Sequence, residues 1–160
     1  MRRVLLDSNA MDLLADLPGA IDTVRAAIRS RTIELLHTHV TRDELAKIPD
    51  PDRRARLLEV VAELSNATPT GAFILGHSRL GQARLNNDKH TVHVLRSHSV
   101  KHSPDALIAI TAKVDRCALI TNDRRLTNRA RECGIEVLTP SELLADLAAS
   151  QQSRGEQVPR

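Results

Sequence analysis

The chain alternates short apolar runs with segments whose apolar residues recur every three or four positions. Val4 to Leu6 is an unbroken apolar run, the pattern of a strand buried on both faces. Asp7-Ser8-Asn9 follows and supplies caps for a helix through Met11 to Leu17, stopped by Pro18-Gly19. A second helix is predicted over Ala20 to Ser30, from the spacing of Ile21, Val24, Ala27 and Ile28. Thr32 to Thr38 reads as a second strand, and Thr41 as the opening of a third helix that ends at Pro49-Asp50-Pro51. Asp52 to Leu64 is amphipathic, with Leu57, Leu58, Val61 and Leu64 on one stripe.

From Thr68 to Val100 the periodicity weakens. Ala72 to Leu75 is predicted as extended, and His77 to Leu85 as a short helix between glycines. Regular patterns return with a helix from Ser103-Pro104 through Ala112, a strand over Cys117 to Thr121 and a helix from Arg124 to Cys133 capped by Gly134. A strand over Ile135 to Leu138 follows, and Thr139-Pro140-Ser141-Glu142 opens a last helix ending near Ala149. Residues 150–160 are polar and are expected to form a disordered tail behind a single domain over 1–149. Strands alternating with helices predict an α/β fold: a central, mostly parallel sheet of four to five strands with helices on both faces.

Composition narrows the function classes. The chain has 160 residues with one Phe, no Tyr and no Trp, so its interior is aliphatic. Base-stacking nucleic-acid modules depend on aromatic platforms and are disfavoured. A nucleic-acid partner must be met with charge, hydrogen bonds and metal. The net charge of +3 is a weak pointer to an anionic partner. Cys117 and Cys133 lack His or Cys at metal spacing and read as small buried hydrophobes of a reducing cytoplasm. No stretch reaches the length of a membrane span, and the apolar run at the start meets an acid too early for a signal peptide.

Four acids fall where strands pass into helices. Open α/β sheets bind ligands at the carboxyl ends of their strands. Asp7 follows the first strand directly and Asp123 follows the strand ending at Thr121, while Glu44 and Asp105 are expected in first helical turns. Each has a structural alternative. Asp7 and Asp123 suit helix caps, Glu44 completes a capping box with Thr41, and Asp105 complements a helix dipole behind Pro104. Their joint placement suggests more: converging carboxylates repel one another unless a hard divalent cation compensates them.

These residues resemble a known family. Val4-Leu5-Leu6-Asp7-Ser8-Asn9 is similar to the opening motif of PIN-domain nucleases, a group that includes the VapC-like toxin ribonucleases. Thr38-His39-Val40-Thr41-Arg42-Asp43-Glu44-Leu45 is similar to the family's second motif, and Asp105 heading Ala106-Leu107-Ile108-Ala109 to its third. Thr121-Asn122-Asp123 is similar to its fourth. One departure is Arg125, where many members carry another acid. The resemblance implies a PIN-like fold and a metal-dependent endoribonuclease. Asp7, Glu44, Asp105 and Asp123 would hold Mg²⁺ or Mn²⁺, with Asp7 and Asp105 as direct ligands and Asn9 and Thr121 in support. It also implies a toxin–antitoxin role with a cognate antitoxin, a homodimer and a cytoplasmic location without membrane attachment. The alternative is a catalytically impaired PIN-like RNA-binding or regulatory module, which Arg125 favours.

Residues 70–102 hold five basic residues, one acid and five of the seven histidines. They read either as a solvated face or as a groove for the RNA backbone, in which Arg79, Arg84, Arg124 and Arg125 are candidate contacts. His90/His93 and His98/His102 have helix-face spacing, but no Cys or acid completes a zinc set. P-loop and dinucleotide readings fail because no Gly-rich loop follows a strand.

Overall fold

Alternation along the strands divides the interior in two. In β1 (Arg2–Leu6), Val4 and Leu6 face one side of the sheet and Leu5 the other, all three fully buried. Ala118 and Ile120 of β4 (Ala118–Ile120) join the first side and Leu119 the second. β2 (Ile33–His37) lies beside β1 with Leu5 opposite Leu36, and β4 lies on its other side with Leu6 opposite Ile120. The two-residue strands β3 (Asn66–Ala67) and β5 (Val137–Leu138) extend the sheet at its edges. The order is β3-β2-β1-β4-β5, and every pairing is parallel. This computed structural model describes residues 1–97 and 99–155, the side chains of 151–155 excepted.

Helices cover both faces, as a parallel sheet requires. On one pack α1 (Ser8–Asp16), α2 (Ala20–Arg29) and α4 (Pro51–Leu64), together with α8 (Pro140–Gly155). On the other lie α5 (Lys89–Arg96), α6 (Ser103–Asp115) and α7 (Arg124–Glu132). The short α3 (His39–Leu45) reaches both sides, through Leu45 and Val40. Local signals explain the boundaries. Asp50 Oδ1 accepts from the backbone N–H of Asp52 and Arg53 with Pro51 behind it, and Thr139 and Glu142 form a reciprocal capping box. α6 is buried continuously from Ala106 to Ala112, so it runs through the core.

Several expectations need correcting. The segment 68–88 contains neither an extended run at Ala72 to Leu75 nor a helix at His77 to Leu85. It is an irregular excursion fixed by tertiary bonds: Thr70 N–H donates to Gln82 O, Arg84 N–H to Thr70 O and Gly71 N–H to Thr111 Oγ1. Gly71 is required there, because a Cβ would stand 2.6 Å from Ile110 O. α5 and β3 are additional elements. The last helix continues to Gly155, past the end expected near Ala149, and the rest of the expected tail, 156–160, lies outside the described residues, as does His98.

Candidate active site

The sheet order changes direction between β1 and β4, so the crevice at their carboxyl ends is where an open α/β sheet receives ligands. Asp7 stands there. Its N–H continues the ladder to Ile120 O and its C=O accepts the first helical bond of α1, from Met11 N–H. Asp7 is therefore the N-cap residue by position, yet its side chain makes no capping bond and turns into the crevice. It is 2% exposed. Thr121 Oγ1 donates to its Oδ2 at 2.8 Å and itself accepts from Asp123 N–H at 3.1 Å. The Ser8 hydroxyl lies 3.4 Å from Asp7 Oδ1, but its tight contact is with Glu44 Oε2. A buried carboxylate with one well-formed hydrogen bond is poorly solvated. Burial pushes the Asp7 pKa up, Thr121 pulls against it, and the negative charge of Asp105 raises it further.

Glu44 arrives by a route different from the expected one. Thr38 caps α3, its Oγ1 accepting from Thr41 N–H, while Thr41 Oγ1 donates to Leu6 O at 3.0 Å. Thr41 thus ties α3 to the end of β1, no capping box exists, and Glu44 falls in the last turn of α3 instead of its first. There it meets Ser8. Its pKa is raised by burial, lowered by the Ser8 bond, and raised again by Asp7 and Asp105.

Asp105 sits in the first turn of α6. Burial and the charge of Asp123 raise its pKa, while Arg129 and His102 lower it. Arg129 Nη2 stands 3.6 Å from Asp105 Oδ2 and His102 Nδ1 stands 3.9 Å away. Asp123 does cap α7, its Oδ1 accepting from Arg125 N–H at 2.7 Å and Leu126 N–H at 3.0 Å.

Asp7, Glu44 and Asp105 thus act on one another electrostatically, with Asp123 adjoining through Asp105. An open cleft of about 440 Å³ is lined by Ser8, Asn9, Asp12, Glu44, Lys47 and Asp105. Its oxygen donors are of the hard type that Mg²⁺ and Mn²⁺ take. Their raised pKa values show negative charge that the surrounding cations leave uncompensated, which fits a divalent cation. Among the described residues, no three acidic, His or Cys side chains already close around one point. Glu44 is turned to Ser8 and Asp105 to Arg129.

The candidate RNA contacts separate. Arg79 is paired with Asp43, and Arg84 with Asp115 and the Thr68 hydroxyl. Arg124 lines a polar groove that begins at Thr121, and Arg125 is exposed on α7. Sequence reasoning missed Ser8, Lys47, His102 and Arg129. Ser8 lies within the first motif and was open to notice, whereas Arg129 meets Asp105 only through the packing of α7 against α6.

No protein-family model matches the chain, and no curated protein matches it in sequence. Solved structures do match in fold. PAE2754 from Pyrobaculum aerophilum aligns over 92% of this chain and 98% of its own, with a TM-score of 0.57 and 19% identity. VapBC2 from Rickettsia felis, solved bound to a DNA fragment from its promoter, aligns over 86% and 98% with a TM-score of 0.56 and 9% identity. VapBC-1 from nontypeable Haemophilus influenzae aligns over 87% and 98% with a TM-score of 0.52 and 16% identity. The chain has the PIN-like fold of these proteins, its sheet parallel throughout.

Proposed function

We propose that this protein is a metal-dependent endoribonuclease that hydrolyses RNA phosphodiester bonds, and that it serves as the toxin of a toxin–antitoxin pair. The observation that carries the reading is the meeting of Asp7, Glu44 and Asp105 at the β1/β4 crevice, each with its pKa raised by burial and by a neighbouring acid. Such a cluster is costly for the fold and useful to a cation-dependent enzyme. Asp7 and Asp105 would hold the ion directly, with Glu44 and Asp123 acting through water, since Mg²⁺ retains part of its hydration shell. A bound Mg²⁺ or Mn²⁺ lowers the pKa of water and neutralises charge on the phosphate under attack.

The chain's own groups do the rest. Thr121 fixes the Asp7 carboxylate and shares its hydroxyl with the turn that places Asp123. Asn9, in the cleft, is positioned to contact phosphate. Arg124 and Arg125 present cations to the RNA backbone beside the crevice, while Arg79 and Arg84 secure the irregular segment through their carboxylate partners. The antitoxin partner, the homodimer and the cytoplasmic location belong to this same reading. No described helix is long and apolar enough to cross a membrane.

A second reading, an RNA-binding module without catalysis, is favoured by Arg125 and by the absence, among the described residues, of a closed set of three ligands. Labelled RNA incubated with inhibitor-free protein, with and without Mn²⁺, separates the two. Cleavage that requires Mn²⁺ and disappears in Asp7→Asn supports the nuclease; RNA retained but uncut under both conditions supports the binding module.

A further inference from the structure

Across α3 from the acidic cleft lies a second cavity, of about 210 Å³, at the carboxyl ends of β2 and β3. Arg42 and Glu44 are two positions apart on α3, about 200° around the helix, so they serve opposite sides of it. His37, His39, Arg42, Thr68, Pro69 and Gln82 line the cavity. Its wall on the irregular segment is fixed in advance, by the Thr70–Ala83 bridge and by the Arg84–Asp115 ion pair.

Hydrogen-bond accounting fixes the protonation of both imidazoles. The Ser65 hydroxyl gives its single hydrogen to Val61 O at 2.7 Å, so at 2.8 Å it can only accept from His37 Nδ1. Burial, and secondarily the charge of Arg42, holds the His37 pKa down, so the ring is neutral and Nε2 carries a lone pair. His39 Nε2 faces His77 O at 3.2 Å; a carbonyl only accepts, so Nε2 holds the hydrogen and Nδ1 the lone pair. His39 is 8% exposed and its Nδ1 has no hydrogen-bond partner. Arg42 adds donors at the mouth, and no carboxylate among the described residues is paired with it. The cavity therefore offers two acceptors and one fork of donors.

That pattern excludes a phosphate, whose oxygens would meet two lone pairs. It suits a planar group with two adjacent N–H donors beside a carbonyl. Among the RNA bases only guanine has this edge, with N1–H and the N2 amino group next to O6. The volume is below the roughly 300–1,000 Å³ usual for drug-sized ligands and suits one base. We propose that the pocket receives a single guanine of the RNA strand, Arg42 donating to O6 while His37 Nε2 and His39 Nδ1 accept from N1–H and the amino group. Its use rests on the ribonuclease reading, to which it adds sequence preference. A chain without aromatic platforms reads a base here by hydrogen bonds in place of stacking.

The test uses the full ¹⁵N-labelled chain and imidazole ¹H–¹⁵N spectra, with His37→Asn and His39→Asn to assign the two rings. The free protein should show His37 as the Nδ1–H tautomer and His39 as the Nε2–H tautomer. Guanosine should shift both rings. Inosine, which lacks the amino group, should bind about tenfold more weakly, while uridine and inorganic phosphate leave the rings unmoved. Arg42→Gln should weaken guanosine about tenfold with the circular dichroism unchanged, in line with the discrimination an Arg–guanine pair supplies. The proposal is overturned if guanosine moves neither ring, or if phosphate or uridine moves them as far. The titration needs no cleavage, so the two readings fail separately. Mn²⁺-dependent cleavage without a guanosine response sinks the pocket alone, and a guanosine response without cleavage sinks the nuclease alone.

Discussion

Replacing Asp7 by Asn should stabilise the protein in buffer free of divalent metal. The Asp7 carboxylate is 2% exposed and holds one good hydrogen bond, from Thr121 at 2.8 Å. The Asn carbonyl keeps that bond, at a loss of about 1 kcal/mol because the acceptor is no longer charged. Against this stands the removal of a buried charge, whose effective penalty in proteins is several kcal/mol per ion after relaxation. Repulsion from Asp105 is relieved as well. The balance is a gain of about 1–2 kcal/mol, and since 1 kcal/mol moves Tm by about 2–4 °C at this chain length, Asp7→Asn should melt about 2–8 °C above wild type at pH 7. The pH dependence has a definite sign. Asp7, Glu44 and Asp105 have folded pKa values above 3.8, 4.5 and 3.8, so their ionised forms weaken the fold at neutral pH. That deficit shrinks as pH falls through the raised values towards the unfolded ones, and the gap between variant and wild type should close with it. Calorimetry with a chelator is the assay, since the chain has no Trp or Tyr to follow by fluorescence. Adding Mn²⁺ should raise the wild-type Tm and leave that of Asp7→Asn nearly unchanged. A variant that melts below wild type at pH 7, or a gap indifferent to pH, refutes the reasoning.

Other consequences concern the scaffold. Gly71→Ala would set a Cβ 2.6 Å from Ile110 O and 2.9 Å from Thr111 Cα, backbone atoms of the buried α6 that cannot yield, and should cost about 2 kcal/mol in urea unfolding. Arg84→Met leaves the Asp115 carboxylate, 8% exposed, with only the Thr68 hydroxyl. Because Arg84 is itself 35% exposed, the cost should be about 2 kcal/mol, below the roughly 3–5 kcal/mol of fully buried pairs, and protease sensitivity should rise within 68–88. Asp88 should titrate by NMR near pH 2, held down first by its hydrogen bonds from Thr91 and then by Lys113, and Lys113→Met should move the midpoint upward. Its contribution to anchoring α5 is complete above pH 3.8 and is lost as pH falls through about 2.

The central strands were legible because β1, β2 and β4 are buried on both faces and so read as unbroken apolar runs. β3 was not, since two exposed residues, Asn66 and Ala67, pair with Leu36 and His37 and carry no hydrophobic signal. α5 was obscured by its histidines: only Thr91 and Leu95 are buried, one turn apart, and the cap from Asp88 gave the sole start signal. The irregular segment is shaped by long-range bonds such as Gly71 N–H to Thr111, which no local pattern encodes. At the site, the strand ends and the first turn of α6 located Asp7 and Asp105 directly. Glu44 was chosen for a register that the structure shifts, since Thr38 and not Thr41 caps α3. Arg129 was read as part of a basic helix face, and its approach to Asp105 depends on packing alone.

Crystals grown with Mn²⁺ test the central claim most directly, through an anomalous difference map collected near the manganese edge. The account predicts a peak in the β1/β4 crevice bonded to carboxylate oxygens of Asp7 and Asp105, and no peak there in Asp7→Asn. Full Mn²⁺ in the crystal with no density between those two residues, or a peak that survives the substitution, would contradict it.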